Sequence, residues 1–392
     1  MPYQITQADR TSFLRCRRQW DFGSAGRRNL EPARQPAAPD LGLAFREALD
    51  VYYFPGMWDW QPRVTRPLVY QGLDRSLARQ RERCGAGGGD GAWQRELDAG
   101  RWLLDRYFDW SPAVDRFAPV HVQPEFEVDI IDPGPPPRGV VTAGGELIRY
   151  RGTVDMLAVD AHDAYWIVRH RLVTGDWPPV GALVGDEEAV TACWAWEQLY
   201  PGMTISGTID NEFRAAAPPQ PDTEAKVARP RRAGGLRRWL PGTREDQLQR
   251  QVRQHEPSGG GRSIPQHRRL YAAAQEPARP DRIEQEAAAN FRRTWVRRSR
   301  AEVAEAGRRL AADAARMMDP GLITEPSPSD ENCSACAFVA PCEEVSAGQE
   351  PDAALRSGYR QRPAQKTAEG RLGGGVWGLG RGAAPPRPRG GP

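Results

Sequence analysis

The chain has 392 residues, with 54 lysine plus arginine against 51 aspartate plus glutamate and a formal net charge of +3, long enough for one large or two ordinary domains with a sizeable core. No apolar run approaches the roughly 18 to 20 residues of a membrane span, and the segment from Met1 to Arg10 lacks the basic and apolar regions of a secretory leader, so a cytoplasmic protein is expected. In that compartment six cysteines read as metal ligands or buried thiols and not as disulfides.

In chain order, Thr6 with Asp9 three residues on has the pattern of a capping box for a helix through Phe22, bearing Phe13, Leu14, Cys16, Arg17 and Trp20. Apolar spacing predicts helices over 41–53 and 93–110 and an aromatic-rich one over 186–200. Strand-like alternation or apolar runs fall at 125–131, 147–159, 164–172 and 203–213. The stretch 283–318 is the longest predicted helix, with Phe291, Trp295, Val303 and Leu310 along it and an arginine cluster near its start. There aromatic and guanidinium groups interleave as on a surface that tracks a nucleic-acid strand, making Arg292, Arg293, Arg297 and Arg298 candidate contacts. An ordinary solvated helix face is the other reading of that run.

Residues 215–282 and 351–392 are rich in proline, glycine and arginine, and such composition cannot bury enough apolar surface to order itself. The expected organisation is therefore an N-terminal helix and α/β core over 1–214, a flexible segment over 215–282, a long helix with C-terminal cysteines over 283–350, and a disordered basic tail over 351–392. Lysine occurs only at Lys226 and Lys366, so any chemistry that needs a lysine has two candidates.

Cys333, Cys336 and Cys342 form a C-x2-C-x5-C pattern that wants a fourth ligand, and Cys16 on the predicted N-terminal helix could supply it if the two chain ends pack together. Four thiolates suit either a tetrahedral zinc site or an iron-sulfur cluster. The single short knuckle leans towards iron-sulfur, and three unliganded thiols are the bland alternative. Cys84, beside a glycine run, and Cys193, inside an apolar helix, read as free cysteines.

Taken together, Cys16-Arg-Arg-Gln-Trp, Leu41-Gly-Leu-Ala-Phe-Arg-Glu-Ala-Leu, Tyr150-Arg-Gly-Thr-Val-Asp, Trp166-Ile-Val-Arg-His-Arg and the terminal cysteines follow an order that resembles RecB-like PD-(D/E)XK nucleases. More closely the chain is similar to the iron-sulfur branch of that family, which includes CRISPR-associated exonucleases and related actinobacterial and phage proteins. The resemblance covers about residues 3 to 213 and 283 to 362. It implies an α/β, restriction-endonuclease-like core of mixed β-sheet flanked by helices. It also implies a structural [4Fe-4S] cluster on Cys16, Cys333, Cys336 and Cys342 in a helical cap made by both chain ends. Further implications are DNA as a partner and a possible protein partner in repair, recombination or phage defence.

Phosphodiester hydrolysis needs carboxylates to hold one or two Mg²⁺ or Mn²⁺ ions and a basic group to position the attacking water. The family's Gly-x-x-Asp element is intact as Gly152-Thr-Val-Asp155, so Asp155 is the expected metal-binding residue. The family's acidic position falls on Arg169 and its lysine position on Arg171, which share one strand face while His170 points the other way. Its histidine position falls on Arg46, and its Gln and Tyr positions on Glu188 and Ala192. Arginine stays protonated and cannot coordinate a cation, while its fork suits phosphate or carboxylate. Glu125, Glu127 or Glu188 could restore part of a metal site, or Arg169 and Arg171 could pair with Asp155 and Glu188 in a buried structural network. Three functional readings follow: a DNA-directed relative with impaired catalysis, an active Mg²⁺- or Mn²⁺-dependent exonuclease with an atypical site, and a non-catalytic scaffold held by four-cysteine zinc.

Overall fold

A computed structural model describes residues 3–33, 38–58, 60–84, 90–132, 136–214, 283–334 and 336–362. The flexible segment expected at 215–282 lies outside them, as does the expected tail beyond residue 362. At the N-terminus β1 (Gln4–Thr6) runs into α1 (Gln7–Arg15). The capping box is present, with the Thr6 hydroxyl accepting from the Asp9 N–H and the Asp9 carboxylate accepting from the Thr6 N–H. The helix expected to continue through Phe22 breaks at Cys16, which adopts an extended conformation and caps both α1 and α2 (Arg17–Gly23). Cys16 therefore sits at a corner and not on a helix.

After the short β2 (Leu30–Pro32), three helices follow: α3 (Leu41–Tyr52), α4 (Pro62–Cys84) and α5 (Asp90–Val114). The strands are then β3 (Phe117–Val122), β4 (Glu125–Asp129), the short pair β5 (Ile131–Asp132) and β6 (Arg138–Gly139), β7 (Arg149–Thr153), β8 (Met156–Asp160) and β9 (Tyr165–Leu172). Helices α6 (Val180–Val184) and α7 (Glu187–Leu199) lead to β10 (Ile205–Phe213). The predicted strand over 147–159 is thus two strands in different sheets, divided at Val154 and Asp155. Gly152 sits just before that division because a Cβ there would collide with Gln7 and the Phe126 ring, which fill the space.

The predicted helix over 283–318 is the largest departure. Its first half is a hairpin, β11 (Ile283–Ala287) and β12 (Phe291–Arg297), and only α8 (Arg300–Met317) is helical, started by a capping box of Ser299 and Glu302. The reason lies in period: Phe291, Arg293 and Trp295 alternate with Arg292, Thr294 and Val296, and all six are buried, which a strand inside a sheet satisfies. Short helices α9 (Asp330–Cys333), α10 (Val339–Ser346) and α11 (Asp352–Gly358) and strand β13 (Tyr359–Gln361) complete the described chain. Residues 351–362, expected to open a disordered tail, form α11 and β13, and β13 pairs antiparallel with β2 near the N-terminus.

The protein is mixed α/β. A six-stranded sheet in the order β11-β12-β10-β9-β8-β3 is parallel only between β9 and β10, where α7 makes the crossover. One face packs on α3, α4 and α5 through Phe45, Leu73, Leu104, Trp166 and Phe213. The other packs on α7, α8 and a three-stranded sheet β1-β7-β4 through Ile167, Trp194, Leu310, Phe126 and Tyr150. Close packing of the two helices on that side needs Gly307, since a Cβ there would enter the Trp194 ring. A third cluster of Phe22, Phe338 and Leu355 joins the two chain ends.

No helix of the described residues is long and apolar enough to cross a membrane. Arg293 is fully buried in β12, where it pairs with Asp115 and donates to the Tyr53 and Tyr107 hydroxyls at 3.1 and 3.2 Å and to Asn211 Oδ1 at 3.2 Å. Arg293→Met would leave Asp115 buried without its cation, and a loss of about 3–5 kcal/mol is expected in urea unfolding. A loss below about 1 kcal/mol would mean that this network does not hold the sheet to its helical layer.

Candidate functional site

Asp155 sits half-buried in the short connection between β7 and β8. Its Oδ2 accepts the main-chain N–H of His170 at 2.6 Å, and its carbonyl accepts the Gln123 N–H at 2.8 Å. Gln123, in a left-handed conformation with φ 49°, donates its side-chain amide to Asp50 Oδ1 at 3.1 Å. One residue therefore ties the backbone of Asp155 to the carboxylate of Asp50 on α3. Burial pushes the Asp50 carboxyl up to about 7, with the Gln123 hydrogen bond opposing, the negative charges of Asp155 and Glu47 adding, and Arg46 pulling it back. Asp50 was not singled out from the sequence; its spacing four residues after Arg46 on a helix was the available signal.

Arg169 and Arg171 share a face of β9, as their spacing implies, but their partners are not those expected. Arg169 Nη1 lies 2.9 Å from Asp186 Oδ2 and 3.6 Å from Asp210 Oδ1, while Arg171 also pairs with Asp186 and places Nε 3.6 Å from Asp210 Oδ1. The sheet register sets this, because Asp210 and Glu212 of β10 stand beside Arg169 and Arg171 of β9. Asp186 is the N-cap of α7, its other oxygen accepting the Ala189 N–H at 3.0 Å. Burial raises the Asp186 carboxyl, but Arg169, Arg171 and the Ala189 N–H outweigh it and hold the group at about 2. Asp210 is fully buried with neither oxygen in a hydrogen bond, and burial pushes its carboxyl up against the pull of the two arginines. Glu188, an expected partner, is exposed on α7, and Ala192 is buried in that helix.

Charge alternation continues across the same face, where Arg292 Nε donates to Glu212 Oε2 at 2.5 Å and Arg292 Nη1 donates to the Pro178 carbonyl at 2.8 Å. Arg298 donates to the carbonyls of Leu183 and Val184 at the end of α6. Arg292, Arg293 and Arg298 are thus buried and internally paired, and they do not form the exposed helix face expected of strand contacts. Arg297 alone of the four is exposed, its guanidinium 5.2 Å from the centre of the Trp166 ring. Glu125 and Glu127 project on β4 to pair with Arg151 and Arg149 at 2.9 and 2.8 Å, a solvated ladder in the small sheet that does not join Asp155. His170 faces the opposite side, within 3.0 Å of Asn211, and burial pushes it down to about 4 although Asp155 favours its charged form.

The two chain ends are clasped around the cysteines. Arg15 donates to Asn332 Oδ1 at 3.2 Å and to the Glu331 carbonyl at 2.9 Å, and Arg18 reaches Ser346 Oγ at 2.9 Å and the Cys342 carbonyl at 3.3 Å. Arg18 also donates to Cys342 Sγ at 3.7 Å, and the Phe338 N–H to Cys336 Sγ at 3.4 Å. Burial raises the Cys336 thiol, the Phe338 N–H opposes it, and Cys16, Cys342 and Cys333 raise it further. Soft sulfur donors flanked by N–H groups fit the chemistry of an iron-sulfur or zinc centre. Among the described residues, however, no group of three or more His, Cys, Asp or Glu is drawn into a metal-holding arrangement. Cys193 is buried, and burial pushes its thiol up to about 12.

The chain matches no protein-family model and no curated protein. It is similar to a solved structure described as "Crystal structure of SSO0001", at 11% identity and a TM-score of 0.19, over 43% of this chain and 61% of that one. The chain therefore spans about three fifths of that protein's length, and a likeness at this score carries no argument.

The shifted groups give stability a defined pH dependence. Asp50 is raised, so the folded state holds its proton above the range where the unfolded chain releases it, and its contribution is lost as pH rises from about 4 to about 7. His170 and Asp186 are lowered, so theirs are lost as pH falls, His170 between about 6.5 and 4 and Asp186 between about 4 and 2. Asp50→Asn should gain stability relative to the wild type between pH 5 and pH 8, on the order of 2 kcal/mol. Equal denaturation midpoints for the two proteins at both pH values would place Asp50 in open solvent.

Proposed function

We propose that this protein is a DNA-directed relative of the RecB-like PD-(D/E)XK nucleases, of their iron-sulfur branch, whose central site is unsuited to hydrolysis. The observation that carries the reading is the engagement of Arg169 and Arg171 with Asp186 and Asp210. A hydrolytic centre needs carboxylates left open to a divalent cation. In this site the positive charge comes from guanidinium groups already paired with those carboxylates, and Asp155 has one oxygen committed to the His170 N–H. In support of the family reading, α3, Asp155, the β9 arginines and α7 follow one another around a mixed sheet with helices on both faces.

In this reading Cys16, Cys333, Cys336 and Cys342 would hold a [4Fe-4S] cluster, which would cross-link the two chain ends and take no part in phosphate chemistry. The residues around it act through their own contacts: Arg15 and Arg18 bind the N-terminal helices to the C-terminal segment, and Phe22 packs on Phe338 at 5.5 Å between ring centres. A second reading, an active Mg²⁺- or Mn²⁺-dependent exonuclease, draws on the Asp50 carboxylate beside Asp155.

The two are separated by incubating anaerobically purified protein with 5′- and 3′-labelled single- and double-stranded DNA and either divalent ion. Salt-sensitive binding without cleavage is expected. Cleavage that vanishes in Asp155→Ala would replace the binding reading with the active one. The same preparation should contain about four iron atoms per chain, lost in Cys16→Ser and Cys342→Ser together with several degrees of thermal midpoint. A colourless wild type with stoichiometric zinc would instead favour the zinc-held scaffold.

A further inference from the structure

We infer that Arg18 is a positioning residue of the four-cysteine centre, holding the Cys342 side chain in the thiolate form that a bound metal requires. This rests on the reading that Cys16, Cys333, Cys336 and Cys342 hold a metal. A cysteine ligand binds as the thiolate, so four of them around iron or zinc leave net negative charge that the surrounding protein has to offset.

The segment that carries three of the cysteines supplies no such offset. Residues 319–352 contain eight aspartate and glutamate residues and no lysine or arginine. Positive charge therefore has to come from elsewhere in the chain, and α2 brings it, with Arg18 two residues after the corner at Cys16. Arg18 Nη1 donates to Cys342 Sγ at 3.7 Å, while the Cys336 sulfur accepts the uncharged main-chain N–H of Phe338 at 3.4 Å. Among the described residues these are the hydrogen bonds to the four sulfurs, and Arg18 is the charged donor.

The guanidinium is fixed by groups other than the sulfur. Its Nε donates to the Thr324 carbonyl at 3.3 Å, and Nη1 also donates to Ser346 Oγ at 2.9 Å and to the Cys342 carbonyl at 3.3 Å. Ser346 Oγ in turn donates to that carbonyl at 2.8 Å, so one turn of α10 carries both the sulfur and the nearest partner of Arg18. Anchors on both Nε and Nη1 set the plane of the fork. Arg15 offers a comparison within the same cap: it joins the two chain ends through Asn332 Oδ1 and the Glu331 carbonyl and donates to none of the four sulfurs. Clasping the ends and contacting a sulfur are thus divided between two arginines. A charge-assisted N–H on a ligand sulfur favours the more negative state of the centre, which strengthens metal retention and raises the reduction potential of an iron-sulfur cluster.

The test uses the full chain, purified anaerobically with its metal content measured. Wild type, Arg18→Gln, Ser346→Ala and Arg15→Gln are compared in a chelator titration and in a redox titration followed by the visible absorbance of the cluster. In Arg18→Gln the chelator concentration that strips half the metal should fall by about tenfold or more. At a fixed potential its ratio of reduced to oxidised centre should also fall by about tenfold, a midpoint lower by about 59 mV. Ser346→Ala removes the nearest partner of the guanidinium without altering a cysteine; it should shift both readouts in the same direction by less, and it carries the test if Arg18→Gln does not fold. Arg15→Gln should lower the thermal midpoint and keep the wild-type redox midpoint. Equal redox midpoints in wild type, Arg18→Gln and Ser346→Ala, or a fall in Arg15→Gln as large as in Arg18→Gln, overturn the sulfur role and leave Arg18 a clasp. In a wild type that holds zinc and no iron, the iron reading fails, and an unchanged chelator midpoint in Arg18→Gln overturns the inference as well. A wild type that holds no metal overturns the inference together with the centre beneath it.

Discussion

The pairing of arginines with carboxylates across β9, β10 and β12 is the constraint on which the rest of the structure depends. On one face Arg169, Arg171 and Arg292 alternate with Asp186, Asp210 and Glu212; on the other, Arg293 and Asp115 share hydrogen bonds with Tyr53 and Asn211. Removing such charges from water costs several kcal/mol each unless every one meets its opposite, so the register of three strands is tied to the pairing. A slip of one residue would turn each arginine toward apolar packing.

That constraint also shapes the chemistry open to the site. A divalent cation and a guanidinium compete for the same carboxylate oxygens, and a buried arginine already in place leaves a cation little to gain. Asp210 shows the tension most directly: it is fully buried, within 3.6 Å of two guanidiniums, and without a hydrogen bond on either oxygen. Among the described residues, Asp155 and Asp50 make no contact with this ladder and are joined to each other through Gln123, whose N–H donates to the Asp155 carbonyl and whose side-chain amide donates to Asp50 Oδ1. The interior positive charge is thus met by carboxylates of neighbouring strands and of the α7 N-terminus.

Several elements were legible from sequence because one local signal dominated. The Thr6–Asp9 capping box, the amphipathic helix α3 and the apolar strand β9 each follow from spacing alone. Helix α4 was not legible, because Pro62 and Pro67 mask a helix in which the first proline sits at the start and the second near the first turns. The hairpin of β11 and β12 was lost for a different reason: buried arginines on both faces look like a solvated helix when their partners are unknown. Asp50, Asp186 and Asp210 likewise gave no sign of their importance, since the residues that make them matter lie on other elements.

By itself the sequence determined what is local or chemical: most of the helices and strands, the scarcity of lysine, the cysteines at positions 16, 333, 336 and 342, and the arginines at positions 46, 169 and 171. Tertiary structure alone decided which carboxylates those arginines meet, that Arg292, Arg293 and Arg298 are buried, and that Cys16 stands at a corner facing the C-terminal segment. The physical reason is one of range. Capping, periodicity and side-chain chemistry act within a few residues, whereas the partner of a buried charge is fixed by strand register and helix docking between segments far apart in the chain.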